Sequence, residues 1–168
     1  MFRLGVNTKG EPVAHLIESV CRSHKLVTRS TYAAELLGAA AGCDDALPVL
    51  VTLHEFVKGP LPARQAVLLR ENGGYCYKLL LTIDAMSVYH SIVALHLKAP
   101  SEKSLLSHLC WLRELFLTGI VSQVRWCDTR DMSCDGHTKG QIERGGLLAS
   151  MRGDYGFKHA LVHSHALA

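Results

Sequence analysis

Three carboxylates lie where predicted elements of this chain meet. Asp84 directly follows Leu79–Ile83, five apolar or β-branched residues without a charge. Such a run predicts a strand buried on both faces, in the middle of a sheet. Glu35 lies about one turn inside a predicted helix that Ser30 can cap. Asp135 lies in a polar loop that follows the last predicted strand. Ends of strands at helix junctions are where α/β folds place their sites.

Carboxylates gathered at one point could hold divalent cations. Carboxylate oxygens are preferred ligands of Mg²⁺, and two such ions roughly 3.5–4 Å apart hold the attacking and leaving oxygens of a phosphodiester. Each acid also has a structural explanation. A Glu near a helix start is stabilised by the helix dipole by about 0.3–1 kcal/mol, and an Asp after a strand is a common cap. Spacing alone favours the structural explanation for each acid.

The first part of the chain predicts a β-hairpin followed by a long helix. Phe2–Val6 and Pro12–Val20 are the predicted strands, and the segment between them is rich in turn formers. The helix is predicted from Thr31 to about Val57, and Pro48 should kink or split it. Its apolar positions recur every three or four residues, which predicts one face packed on a sheet: Leu36, Ala40, Cys43, Leu47, Leu50 and His54.

The remaining pattern alternates helix and strand. Further helices are predicted over Ala63–Glu71, Ser87–Leu97, Ser101–Thr118 and Gln141–Met151, with a half-exposed strand over Val121–Asp128. The inner stripe of the fourth predicted helix is Leu105, Leu109, Leu112 and Phe116. The predicted class is therefore α/β with a mixed sheet flanked by helices. Residues 1–151 are expected to form one domain, and residues 152–168 a poorly ordered tail.

Composition limits the compartment and the partners. The chain has 168 residues, of which 48% are hydrophobic and 20% charged, as in a soluble globular domain. The six cysteines are scattered without a C-x-x-C pair, which indicates reduced thiols in an intracellular protein, cytoplasmic or nuclear. The sequence indicates neither a secretion signal nor a membrane span. A net charge of +3 with ten histidines mildly favours a polyanionic partner.

Three segments resemble, in order, the RNase H-like domain of copia-type retrotransposon polyproteins. Arg29–Glu35 (RSTYAAE) resembles the family's R-S-T-x-A-A-E segment. Thr82–Ser87 (TIDAMS) resembles its strand ending in D-x-x-S. Trp126–Lys139 (WCDTRDMSCDGHTK) resembles its closing W-x-x-T-x-D-x-x-A-D-x-x-T-K segment, with Cys134 in place of the Ala. The resemblance covers about Phe2 to Met151, and three motifs in register are fairly specific together.

The resemblance implies a fold, a reaction and a set of site residues. The fold is a five-stranded mixed sheet with helices on both faces, and the activity is two-metal hydrolysis of the RNA strand of an RNA–DNA hybrid with Mg²⁺ or Mn²⁺. By motif match the metal ligands and catalytic acids are Glu35, Asp84 and Asp135, whereas Asp131 is not a ligand. Nucleic-acid contacts are expected at Arg29, Ser30, Ser87, Thr138 and Lys139. The reverse transcriptase region of the same polyprotein would be a partner.

The chain departs from the family in its first acid. In the family this acid lies on a strand before the hairpin, and this sequence begins at the hairpin. Neither Glu11 nor Glu18 matches it, so we expect an N-terminally truncated domain whose Leu79–Ile83 strand has an unpaired edge. Such a chain is expected to bind metal poorly and to cleave little. The alternative function is a non-catalytic nucleic-acid-binding remnant of a retroelement, with basic residues Arg22, His24, Lys25 and Arg29.

Two other site types are weaker candidates. Cys127, Cys134 and His137 could hold zinc, with further histidines in the tail at His159, His163 and His165, but structural zinc sites have tighter paired spacing. Ser87 and His90 could form a nucleophile pair, but the sequence supplies no third group for them. A helix surface accounts better for that pair.

Overall fold

The computed structural model of the protein describes residues 1–6, 8–10, 12–18, 20, 28–132, 145, 148, 151–153 and 163–166. The strands are β1 (Phe2–Val6), β2 (Pro12–Leu16), β3 (Leu79–Ile83), β4 (Val121–Trp126) and β5 (His163–Ala166). The helices are α1 (Thr31–Lys58), α2 (Ala63–Asn72), α3 (Met86–Val93) and α4 (Leu106–Leu117). Two 3₁₀ turns, Lys103–Leu105 and Thr129–Asp131, complete the described elements.

The predicted mixed α/β class is confirmed, and the chain divides into two compact units. One unit comprises Met1–Ser23 with Cys127–Val162, and the other comprises His24–Trp126 with His163–Ala168. In the first unit, β1 and β2 form an antiparallel hairpin that pairs Phe2 with Leu16. In the second unit, the strand order is β3-β4-β5, with β3 parallel and β5 antiparallel to β4.

Helix α1 supplies much of the core of the second unit. The Ser30 side chain accepts a hydrogen bond of 3.1 Å from the Ala33 N–H and so caps the helix as the sequence predicts. The predicted stripe is buried at Leu36, Ala40, Cys43, Leu50 and His54, and Leu47 packs against the same core. Periodic apolar positions therefore located both the start and the inner face of this helix.

Pro48 does not split α1. The helix is continuous from Thr31 to Lys58 with Pro48 inside it, so of the expected kink or split, the split is wrong. Proline removes one backbone hydrogen bond, but burial of Ala46 and Leu50 on either side holds the turns together. The Thr52 hydroxyl also donates to the Pro48 carbonyl oxygen at 2.9 Å.

By length and composition, α1 could also cross a membrane. It is the one such helix in the described part of the chain, and 39% of its most apolar 18-residue window is buried inside the protein. A core helix of a soluble protein passes the same test, so this is weak evidence for a membrane. The packing of α1 against β3, α3 and α4 is that of a core helix.

A half-buried arginine joins α3 to α4. The predicted inner stripe of α4 is buried, with Leu109 and Leu112 almost inaccessible to solvent. Arg113, beside that stripe, donates through Nη1 to the carbonyl oxygens of Ser91, Ile92 and Ala94 at 3.0, 2.9 and 2.7 Å. These carbonyls end α3, where a cation offsets the negative end of the helix dipole. Helix α3 accordingly stops at Val93, four residues earlier than predicted.

Strand β3 lies at the edge of its sheet and not in the middle. Its bounds agree with the prediction, but among the described residues it pairs with β4 alone. Of its five residues only Ile83 is buried, and Leu80 is 38% exposed. The interpretation as a central strand buried on both faces is therefore wrong, whereas the unpaired edge that we expect for Leu79–Ile83 in this chain agrees with the described residues. An unbroken run of apolar residues shows that a strand is apolar, but it does not show how many other strands pair with it.

The C-terminal segment contributes a strand that the sequence pattern did not indicate. His163–Ala166 pairs with β4 from Gln123 to Trp126, and all four of its residues are exposed. Four positions of the predicted last helix and its end are described, namely residues 145, 148, 151 and 152. Most of that helix, and the predicted disorder of the rest of the tail, fall outside the described residues.

Replacing Pro48 by alanine tests the cost of proline in α1. Pro48→Ala should raise the free energy of unfolding by about 1–3 kcal/mol, because it restores a backbone donor in a helix that is already continuous. Chemical denaturation of the two proteins measures this difference. Val49→Pro, one position further along the helix, is the matched control and should destabilise the protein. A Pro48→Ala variant less stable than the parent would contradict this account of α1.

Candidate functional site

Asp84 lies at the carboxyl end of β3, between that strand and α3. Its side chain is half-buried. Its backbone carbonyl oxygen accepts a hydrogen bond of 2.6 Å from the indole Nε1–H of Trp126, the last residue of β4. Ile83 and Trp126 are paired in the parallel register, so the two strands end at the same level. The indole thus fixes the backbone from which the Asp84 carboxylate projects.

A second contact fixes the start of the segment that leads into β3. His54 of α1 is 7% exposed, and its Nδ1 accepts a hydrogen bond of 3.1 Å from the Cys76 N–H. The Tyr75 ring meets the His54 ring edge-on, with centroids 5.7 Å apart. His54 therefore joins the approach to β3 to the C-terminal part of α1.

Helix α1 packs against the elements on both sides of Asp84. Its inner face is buried from Ala33 to His54. The helix contacts β3, which ends just before Asp84, and α3, which begins two residues after it.

Glu35 lies near the start of α1, and Asp84 lies between β3 and α3, two elements that pack against α1. Glu35 is exposed and Asp84 half-buried, so both carboxylates are accessible to solvent. Oxygen donors of this kind suit a hard cation such as Mg²⁺. Asp135, the third acid of the predicted set, lies outside the described residues. Among the residues that the structure describes, no group of three His, Cys, Asp or Glu side chains could hold a metal ion.

The residues expected to contact nucleic acid fall into two groups. Arg29 and Ser30 are exposed at the start of α1, near Glu35, and Ser87 is exposed on the first turn of α3. The Ser30 hydroxyl is engaged by its capping bond, so it holds the helix start whatever else it contacts. Thr138 and Lys139 lie outside the described residues.

The described residues do not support either of the two weaker candidate sites. Of the zinc candidates, Cys134, His137 and His159 lie outside the described residues, and Cys127 is buried. Ser87 and His90 are both exposed on α3. The His90 ring meets Tyr89 edge-on, with centroids 5.5 Å apart. The helix-surface interpretation of that pair therefore fits the structure.

The buried cysteine of α1 is not a reactive group. Burial, with a smaller contribution from the charge of Asp44, raises the pKa of the Cys43 thiol to about 12. A thiol with this pKa carries almost no thiolate near neutral pH and is a poor nucleophile. Cys43 thus serves as a small apolar side chain on the inner face of α1, as its place in the predicted stripe indicates.

Three residues that position the site were not assigned a role from sequence. Trp126 belongs to the closing motif, but its bond to Asp84 depends on two strands 42 residues apart. The sequence pattern placed His54 on the inner face of α1 but did not indicate its hydrogen bond with the Cys76 N–H. His163 lies with its ring 5.6 Å from that of Trp126. The sequence offered only a chemical indication of these roles, because a buried indole or imidazole requires a hydrogen-bond partner.

Comparison of the chain with protein-family models, with curated proteins and with solved structures finds no match.

The hydrogen bond from Trp126 can be removed with little change in shape. Trp126→Phe keeps an aromatic ring but leaves the Asp84 carbonyl oxygen without its donor, and should lower the free energy of unfolding by about 1–2 kcal/mol. Backbone amides from Asp84 to Met86 should exchange faster with solvent. Chemical denaturation and hydrogen exchange measure both effects, with Trp111→Phe as the matched control. Unchanged exchange at Asp84–Met86 would contradict this role.

Proposed function

We propose that this chain is an RNase H-like domain of a copia-type retrotransposon polyprotein. Its ancestral reaction is two-metal hydrolysis of the RNA strand of an RNA–DNA hybrid, in an intracellular setting. The observation that carries the proposal is the placement of two motif acids, Glu35 just inside the capped start of α1 and Asp84 at the carboxyl end of β3. Both motif acids lie on or beside elements that pack together, since α1 contacts β3 and α3.

The proposed reaction assigns a role to each matched residue. Glu35, Asp84 and, by motif match, Asp135 would hold Mg²⁺ or Mn²⁺. When bound, the two ions stabilise the charge that develops on the phosphodiester oxygens during in-line displacement. Arg29, just before α1, and Ser87, on the first turn of α3, are exposed and would contact the backbone phosphates of the hybrid. The Trp126 indole would keep Asp84 in place while the substrate binds.

The chain supplies three of the four acids that the family uses. Strand β1 (FRLGV) carries no carboxylate, and no residue of the sequence matches the first acid of the family. Two adjacent dications repel each other and need bridging carboxylates, so the loss of one acid weakens both sites. We therefore propose that this chain is weak or inactive as a nuclease by itself.

A cleavage assay on a labelled RNA–DNA hybrid with Mg²⁺ or Mn²⁺ tests this expectation. The isolated chain should cleave at background level, and Asp84→Asn should leave that level unchanged. Asp44→Asn alters an exposed acid elsewhere on α1 and is the matched control. Robust turnover that Asp84→Asn abolishes and Asp44→Asn preserves would contradict the proposed inactivity while supporting the assigned site.

The same observations favour one second function, a nucleic-acid-binding module without catalysis. The net charge is +3, and the exposed Arg29 lies at the start of α1, where the helix dipole also attracts anions. Binding of this kind depends on neutralising phosphates and not on bound metal, so an incomplete acid set does not weaken it.

Hybrid affinity measured at several salt concentrations tests this binding. The affinity should fall between about 50 and about 200 mM salt, and Arg29→Gln should reduce the slope of log affinity against log salt by about one. Arg64→Gln removes an exposed cation from α2 and should leave the slope unchanged. Equal slopes for Arg29→Gln and the parent would exclude Arg29 from the interface.

A further inference from the structure

Strand β5 has few contacts that hold it in place. It returns to the second unit after 36 intervening residues and pairs with the outer edge of β4. All four of its residues are exposed, so docking buries little apolar surface. Short segments with exposed backbone hydrogen bonds and little burial open locally while the rest of a domain stays folded.

One face of β5 nevertheless contacts aromatic rings of the unit. Ring centroids of His163 lie 5.6 Å from Trp126 and 6.5 Å from Tyr89 of α3, and the His165 ring lies 5.8 Å from Phe116 of α4. Alternate residues of a strand point to opposite faces, so Ser164 and Ala166 face away from these rings. The strand thus attaches by its backbone and by two imidazoles.

The ring beside His163 is the one that donates to Asp84. Trp126 pairs with His163 across the β4–β5 ladder, and its indole donates to the Asp84 carbonyl oxygen at 2.6 Å. A shift of this ring away from its position would remove the donor from the end of β3. Docking of β5 and the backbone position of Asp84 therefore depend on one side chain.

We propose that β5 is a detachable strap that fixes the candidate acid. When His163–Ala166 is paired with β4, the strap holds the Trp126 indole on the Asp84 carbonyl. When the strap leaves, the β4 edge is open to another extended segment and the end of β3 loses its restraint. His163 and Trp126 act here as positioning residues. The proposal concerns the backbone at Asp84 and holds whether or not the chain cleaves RNA.

Hydrogen exchange of the tryptophan indole protons in the full chain tests the strap. Ser164→Pro removes a backbone N–H and the extended φ that strand pairing needs, on the face that points away from the core. The Trp126 indole proton should then exchange on the order of tenfold faster, whereas that of Trp111 on α4 should keep its rate. Ser164→Ala keeps the backbone donor, is the matched control, and should behave as the parent.

A peptide with the sequence of residues 161–168 completes the test. Added to the Ser164→Pro protein, it should restore slow exchange at the Trp126 indole, and a scrambled peptide should not. An unchanged Trp126 rate in Ser164→Pro would overturn the coupling between strap and acid. Equal acceleration at Trp111 and Trp126 would overturn detachability, because β5 would then be an integral part of the core. If the peptide did not restore protection, the proposal that another extended segment can pair with the open β4 edge would be wrong.

Discussion

The second unit depends on burial of one face of α1 against β3, α3 and α4. Leu36, Ala40 and Leu50 are nearly inaccessible on that face, and it continues to His54. This constraint explains why the helix passes through Pro48 without a break, because packing outweighs one lost backbone hydrogen bond. His54 also accepts a hydrogen bond from the Cys76 N–H, which ties the segment before β3 to the helix.

Polar contacts hold the end of β3 and the helix that follows it. Strand β3 is paired on one side among the described residues and is only partly buried, so its last residues are not held by a surrounding sheet. The Trp126 indole restrains the Asp84 backbone from the neighbouring strand. Further along the chain, Arg113 holds the C-terminal carbonyls of α3 and so limits the movement of the helix that follows Asp84.

The sequence located most elements and few of their partners. Periodicity found the inner faces of α1 and α4, because apolar spacing of three and four is a local signal that packing rarely overrides. It misplaced β3 in the middle of a sheet, since neighbours are not encoded in the strand itself. It also gave no sign of β5, because His163–Ala166 lacks apolar alternation and pairs with residues far away in the chain. Motif order proposes Glu35 and Asp84 as site residues, which stays a prediction, whereas the contacts of His54 and Trp126 required the fold.

We propose that Glu35 and Asp84 act on one divalent cation. Titration of the isotope-labelled chain with Mn²⁺, followed by paramagnetic broadening of its amide signals, tests this most directly. The signals of residues around Glu35 and Asp84 should broaden over the same range of Mn²⁺ concentration, and Asp84→Asn should remove both effects together. Broadening at only one of the two acids, or broadening at Glu35 that persists in Asp84→Asn, would contradict a shared metal site.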